Sequence, residues 1–279
     1  PVDFFLRIDP LVALSAAFAN KSLFIKAVPA LVLLVLTFFF GRFFCGWVCP
    51  LGTTIDGTDT LFKKRSFLKK NWAWLKFAVL AFVVTATLVS VQIAGYVDPI
   101  PLFTRTVTTV IYPVFALSLY GLFGLLMGIP LLEEPVYQLF QNLRGNILPI
   151  DPVVFRGSII IGIIFLLILV AGYLQRRFWC NNVCPLGALL GLFSKWRLYK
   201  RHVSEDCINC GKCRDICRMD AIDEDYVSYD PAECINCMDC DDICPVEAIH
   251  FGFSGRSETV TTDYNRRNFI HAGALGLLS

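Results

Sequence analysis

Histidine is nearly absent from this chain. Its 279 residues hold three, His202, His250 and His271. None lies in an apolar run long enough to cross a bilayer, so a membrane haem held by two histidines is not supported. The three fit polar residues near a domain surface. No nucleic-acid-binding motif occurs, and the basic runs are not read as DNA-binding. No N-terminal secretory signal is visible. Charge is also thin, at 17% of residues, while 56% are hydrophobic, against about 45–50% apolar in soluble domains. The apolar excess lies before residue 200. The sequence begins at Pro1 without Met and stops inside an apolar run at Ser279, and reads as cut at both ends.

The net charge of +2 hides a division. From Ser204 to His250 thirteen acidic side chains face three basic ones, a net of −10, and the remainder is strongly basic. Such asymmetry points to separate domains with different surroundings. A basic membrane part can hold anionic lipid headgroups. The fold class expected is an α-helical integral membrane domain over residues 1–200, followed by a small α+β ferredoxin-like domain over 201–253. Residues 254–279 form a linker and an apolar tail.

A helix needs about 20 apolar residues to cross a bilayer. Three stretches qualify, at about 22–44, 72–95 and 157–174, and the apolar segment 106–128 is ambiguous because of Pro113, Gly121 and Gly124. Lys63, Lys64, Arg65, Lys69 and Lys70 follow the first span. Arg176, Arg177, Lys195, Arg197, Lys200 and Arg201 follow the third. The positive-inside rule puts both groups in the cytoplasm. Parity then makes 106–128 an interfacial helix at the outer face, with a fourth span plus an extra crossing as the alternative. Pro1 to Asn20 would sit outside, with Asp9-Pro10 as a turn.

Spans one and three end alike. Arg42-Phe43-Phe44-Cys45-Gly46-Trp47-Val48-Cys49-Pro50-Leu51-Gly52 and Arg177-Phe178-Trp179-Cys180-Asn181-Asn182-Val183-Cys184-Pro185-Leu186-Gly187 share R-F-aromatic-C-x2-V-C-P-L-G, and an Asp-Pro precedes each span. This is an internal repeat that would bring Cys45, Cys49, Cys180 and Cys184 to one level. Proline opens a helix well at its first position, which leaves Cys49 and Cys184 at helix N-termini, where thiolate is favoured. Arg42 and Arg177 add positive charge. The four thiols can hold an additional cluster, serve as a redox-active or transient copper site, or be structural.

The last quarter carries Cys207, Cys210, Cys213 and Cys217, spaced C-x2-C-x2-C-x3-C, then Cys234, Cys237, Cys240 and Cys244 with the same spacing and Pro245 behind them. Structural disulfides rarely crowd at i, i+3 and i+6, and structural zinc takes two pairs across a longer loop. The pattern fits two [4Fe-4S] cubes. In two-cluster bacterial ferredoxins the fourth cysteine of each run serves the other cluster. That assigns Cys207, Cys210, Cys213 and Cys244 to cluster I, and Cys234, Cys237, Cys240 and Cys217 to cluster II. Asn209 and Gly211 suit the tight loop. Cys217 is followed by Arg218 where proline is usual, which places a positive charge near cluster II and raises its expected potential. Short strands are expected near 198–203, 227–229 and 250–253.

With C-x3-C-P-L-G after two spans and then two ferredoxin runs, the chain resembles the membrane polyferredoxins of the NapH, NosR and FixG (CcoG) type over roughly residues 1–253. The resemblance implies two [4Fe-4S] clusters on the ligands above and a bacterial inner-membrane location. It also implies electron transfer between the quinone pool or a cytoplasmic donor and a partner oxidoreductase. Some members reduce copper during oxidase assembly, so a cupric reductase acting at Cys45, Cys49, Cys180 and Cys184 is the alternative. The tail Asn265-Arg266-Arg267-Asn268-Phe269-Ile270 resembles a twin-arginine signal, from which an exported domain beyond Ser279 is expected. A basic helix on the membrane is the other reading. The acidic ferredoxin face suits a basic partner.

Overall fold

The computed structural model describes residues 6–20, 27–61, 72–89, 93–128, 133–143, 155 and 157–253. The basic run 63–70, the second Asp-Pro at 151–152 and the twin-arginine-like tail lie outside the described residues. In chain order the helices are α1 (Pro10–Asn20), α2 (Val28–Phe40), α3 (Phe43–Trp47), α4 (Pro50–Leu61), α5 (Ala73–Leu88), α6 (Ala94–Val97), α7 (Pro99–Thr106), α8 (Tyr112–Met127), α9 (Glu133–Leu143), α10 (Ser158–Ala171), α11 (Phe178–Asn182) and α12 (Pro185–Ser194). Then come strand β1 (Lys200–Val203), α13 (Lys212–Ile216), α14 (Asp239–Asp242) and strand β2 (Ile249–Gly252). The chain divides into two compact units, residues 101–167 and the remainder.

The three expected spans appear as α2 and α5, in the larger unit, and α10, which begins in the smaller unit and ends in the larger; they have 13, 16 and 14 residues. At 1.5 Å per residue these are only about 20–24 Å long, against a hydrocarbon core of about 30 Å. Gly41, at φ 72°, is what stops α2. Only glycine takes that conformation at no steric cost, and the chain swings there into α3. Asp9-Pro10 is not a turn. The Asp9 carboxylate accepts from Leu11 N–H at 3.0 Å, and Pro10 begins α1, which packs on α2, α5 and α6. The apolar faces of α2, α5 and α10 point outward, with Leu31, Phe82 and Ile159 all more than half exposed.

In the smaller unit, α7 runs through a π-helical turn, Val107–Ile111, into α8. The result is a single apolar helix, Pro99–Met127, of 29 residues, long enough to cross a membrane. The sequence reading began this segment at 106 and laid it on the interface. Pro113 was the reason for ambiguity, since it removes the bond to Thr109 and crowds its carbonyl. The π turn absorbs that crowding and the helix continues. Phe140 of α9 packs edge-on to Tyr120 and tilted against Phe123 of α8.

The ferredoxin-like part, within the larger unit, is held by β1 and β2, antiparallel with Lys200 opposite Gly252 and Val203 opposite Ile249. An isolated bridge pairs Ile222 with Tyr229. Its two cysteine runs repeat in backbone conformation as well as spacing. Asn209 and Asn236, Gly211 and Met238, and Asp220 and Glu247 occupy matching places, all at positive φ between 48° and 75°.

Candidate metal centres

One donor set centres on the second cysteine run. Cys217, Cys234, Cys237 and Cys240 together line a partly open cavity, walled further by Met219, Ile222, Ile235 and Phe251. Three of these cysteines come from one loop and the fourth from the other. Burial pushes Cys240 up to about 12, partly opposed by the Arg201 guanidinium. Burial likewise raises Cys237 and Cys217.

The other set is more open. Cys213 is buried against Ile222, Cys240 and Ile249, and Cys244 packs on that core. Cys207 is half-buried and Cys210 exposed. The local turns repeat: Ala221 N–H donates to Cys217 Sγ at 3.4 Å, and Ala248 N–H to Cys244 Sγ at 3.3 Å. Among the described residues, no three His, Cys, Asp or Glu side chains converge closely enough for a single ion. A cube takes one thiolate at each of four irons and needs donors spread around it.

The repeated motif gathers Cys45, Cys49, Cys180 and Cys184, all buried at 4–9% exposure. Two short helices, α3 and α11, carry the first cysteine of each pair. The second opens a proline-started helix, where Cys184 Sγ accepts from Gly187 N–H at 3.2 Å. The two arginines are exchanged between the halves. Arg177 donates to Cys45 O at 3.0 Å. Arg42 lies so close to Gly187 that a methyl there would be 2.7 Å from its Nη2. At Gly52 a methyl would be 3.1 Å from Cys45 O and 3.5 Å from Arg177 Nη2. At Gly187 the other motif's arginine leaves no room for a side chain, whereas at Gly52 the crowding neighbour is Cys45 O of the same motif. Arg42 and Arg177 are fully buried, and Nε and Nη2 of Arg42 find no hydrogen-bond partner among the described residues.

The expectation of ready thiolates is not met. Burial pushes Cys180 up to about 11, against the pull of Arg177, and raises Cys49 and Cys184 above the ordinary thiol range. Desolvation outweighs helix ends and arginines, so these thiols stay neutral near pH 7 unless a bound cation takes over their charge.

Buried charges clamp this four-cysteine region to the ferredoxin loops. Glu233, one residue before Cys234, pairs with Arg42 at 3.2 Å and with Lys76 of α5. Asp56 of α4 takes Arg177 through two bonds, at 2.8 and 2.6 Å, and Arg218 at 2.7 Å. Arg218 also bonds Asp239 at 2.6 Å. That explains the departure from proline after Cys217: the residue ties the ferredoxin loop to α4. The position equivalent to Asp56 in the second half is Gly191, where a Cβ would come within 3.1 Å of Ala232 O. Arg42 is thereby answered by the ferredoxin loop where Arg177 is answered by α4. Trp47 Nε1–H donates to Asn236 O at 2.9 Å, Arg197 donates to Asn236 Oδ1 at 2.7 Å, and Arg176 donates to Asp215 O at 2.7 Å. Sequence reasoning missed Asp56, Lys76 and Glu233. Lys76 was legible in principle, because it is the one charge in α5 and a lone cation in an apolar helix asks for a partner.

A 4Fe-4S binding domain model matches residues 27–69 and 158–204, the two halves that carry the C-x3-C-P motifs, and a second 4Fe-4S binding domain model matches residues 201–223. The chain is 28% identical to the methylamine utilization ferredoxin-type protein MauN of Methylorubrum extorquens over 226 residues, 75% of this chain and 59% of that protein. It is 27% identical to MauN of Paracoccus denitrificans over 222 residues, 75% of this chain and 60% of that protein. To the ferredoxin-type protein NapH of Haemophilus influenzae it is 26% identical over 196 residues, 67% of this chain and 63% of that protein. The chain thus spans about three fifths of the curated relatives it matches. No solved structure matches it significantly.

Proposed function

The chain belongs to the NapH-like family of 4Fe-4S ferredoxin-type proteins, and from that premise we propose that it is a membrane-anchored electron conduit with no substrate pocket of its own. The observation that carries this reading is the cavity lined by Cys217, Cys234, Cys237 and Cys240. These four would hold cluster II, and Cys207, Cys210, Cys213 and Cys244 cluster I. When bound, such cubes supply reversible one-electron storage.

Cys45, Cys49, Cys180 and Cys184 would hold a third cube. Four buried thiols, of which burial pushes up Cys49, Cys180 and Cys184, suit a resident cation that takes over the thiolate charge. The oxidised cube with four thiolates is a net anion, and the unpartnered nitrogens of buried Arg42 ask for one. Gly46 and Trp47 lie directly against Ile235 and Asn236, so the third site and the cluster II loop form one rigid contact. The alternative, cupric reduction at these four cysteines, requires an ion to come and go, and their burial weighs against it.

The 29-residue helix and the outward apolar faces support the membrane setting. With the ferredoxin part cytoplasmic, a quinol or a cytoplasmic protein would give electrons, and a partner oxidoreductase with a basic face would take them at exposed Cys210. EPR spectra of two serine variants test the ligand assignment. Cys217→Ser is expected to alter the cluster II signal and spare cluster I, and Cys244→Ser the reverse. Each variant disturbing the cluster of its own run would refute the assignment.

A further inference from the structure

Two arginines buried beside the cluster II cavity bond only neutral groups among the described residues. Arg201 lines that cavity together with Cys217, Cys234, Cys237 and Cys240. Its Nη1 and Nη2 donate to the backbone oxygens of Val227 and Tyr226, at 2.9 and 3.0 Å. Its Nε–H finds no acceptor among the described residues. Arg197 is fully buried and donates to Cys234 O at 3.3 Å and to Asn236 Oδ1 at 2.7 Å. Its Nε and Nη2 are likewise unanswered among the described residues. Both guanidiniums stand over the ring of Tyr229, 5.1 and 6.0 Å from its centroid, and Tyr229 walls the same cavity. The ring softens the desolvation of two cations but cancels neither charge. Arg218, also on the cavity wall, differs because Asp56 and Asp239 neutralise it.

The repeat breaks down at this point. Arg201 stands six residues before Cys207, and the residue six before Cys234 is Ser228. Ser228 is exposed and donates to the Asp225 carboxylate through its hydroxyl, and through its N–H at 3.0 Å. The cations inside the first cysteine run are Lys212, which is exposed, and Arg214, whose half-exposed side chain pairs with Glu224 at 3.4 Å. Water and salt screen such surface charges, whereas buried ones act with little screening. The field of Arg201 also reaches Cys213 of cluster I, so what the two arginines set is a difference between the clusters.

We propose that Arg197 and Arg201 bias a stored electron toward cluster II, away from the exposed Cys210 end. The idea rests on the reading of the two cysteine runs as the holders of clusters I and II. Passage of an electron from cluster I to cluster II oxidises the one and reduces the other, with no proton moved and no bond made or broken. A reduced cube carries one more negative charge, which the two buried cations offset. The electron rests inside, and an acceptor at Cys210 draws it back out through cluster I.

The test is an EPR-monitored redox titration of anaerobically prepared whole protein, with Arg201→Gln, Arg201→Lys and Arg197→Gln beside the wild type. The signals are told apart by Cys217→Ser and Cys244→Ser. The wild type alone is informative: cluster II should reduce first, with at least a tenfold preference over cluster I, which converts to about 59 mV for one electron. Arg201→Gln and Arg197→Gln should each shrink that preference severalfold. Arg201→Lys keeps the charge but loses the fork that holds Val227 and Tyr226, and should retain most of it. Cluster I reducing first in the wild type, or both together, overturns the proposal. So does a preference unchanged in both glutamine variants. An Arg201→Lys as damaging as Arg201→Gln also overturns it, since Arg201 then only props the turn. Iron content separates the failures: a chain holding fewer than about eight irons overturns the underlying reading, and loaded protein that fills cluster I first overturns the bias.

Discussion

Replacing Glu233 with glutamine probes the clamp between the four-cysteine region and the ferredoxin loop. Glu233 is 5% exposed and answers two cations, Arg42 and Lys76, which are themselves 0% and 1% exposed. Removing one partner of a buried ion pair costs about 3–5 kcal/mol, because the remaining charge is left uncompensated. Here two charges are left, and the neutral amide still offers each a dipole, so a loss of about 3–5 kcal/mol is expected from Glu233→Gln. At about 1.4 kcal/mol per decade that is a shift of at least a hundredfold in the unfolding equilibrium. Lys76→Met behaves differently. It removes one desolvated cation and leaves Glu233 paired with Arg42, so its cost is about 1 kcal/mol or less. The double variant should be more stable than Glu233→Gln alone, because one stranded cation is gone. Loss of iron–sulfur absorbance against guanidinium, in detergent-solubilised protein, measures all four species. A neutral Glu233→Gln, or a Lys76→Met as damaging as Glu233→Gln, would refute the reasoning.

Gly46→Ala places a methyl 2.4 Å from Ile235 O, which is backbone and cannot rotate away, so a shifted EPR spectrum of cluster II and a lower melting temperature are expected. Arg218→Pro restores the usual ferredoxin residue but breaks both ties to Asp56 and Asp239. Cluster II should persist while limited proteolysis releases the ferredoxin part faster than in the wild type. Gly187→Ala pushes a methyl to within 2.7 Å of Arg42 and should lower iron retention at the four buried cysteines, whereas Gly57→Ala, with nothing within 4 Å, should leave it unchanged.

The ferredoxin part was the most legible, because cysteine spacing is a covalent constraint that tertiary packing cannot override. Two of its three expected strands formed, at 200–203 and 249–252, while 227–229 holds only an isolated bridge at Tyr229, and Asn209 and Gly211 do take the tight positive-φ loop. The membrane part was legible only as apolar runs. Composition does not reveal that Gly41 ends a helix early, or that a π turn carries another past Pro113. The shared R-F-aromatic-C-x2-V-C-P-L-G motif announced a repeat. Why Gly187 is needed became visible only once Arg42 of the other half was seen to lie over it. Arg218 read as a departure with an electrostatic effect on cluster II. Its partner Asp56 lies far away in sequence, and no local signal links the two. The thiolate expectation for Cys49 and Cys184 failed because helix position is local, whereas burial depends on the whole fold.

Counting iron and acid-labile sulfide in anaerobically purified protein tests the central claim most directly. About twelve of each per chain are expected from three cubes, falling to about eight when Cys45, Cys49, Cys180 and Cys184 are all changed to serine. Colourless protein, or protein holding zinc in place of iron, would contradict it.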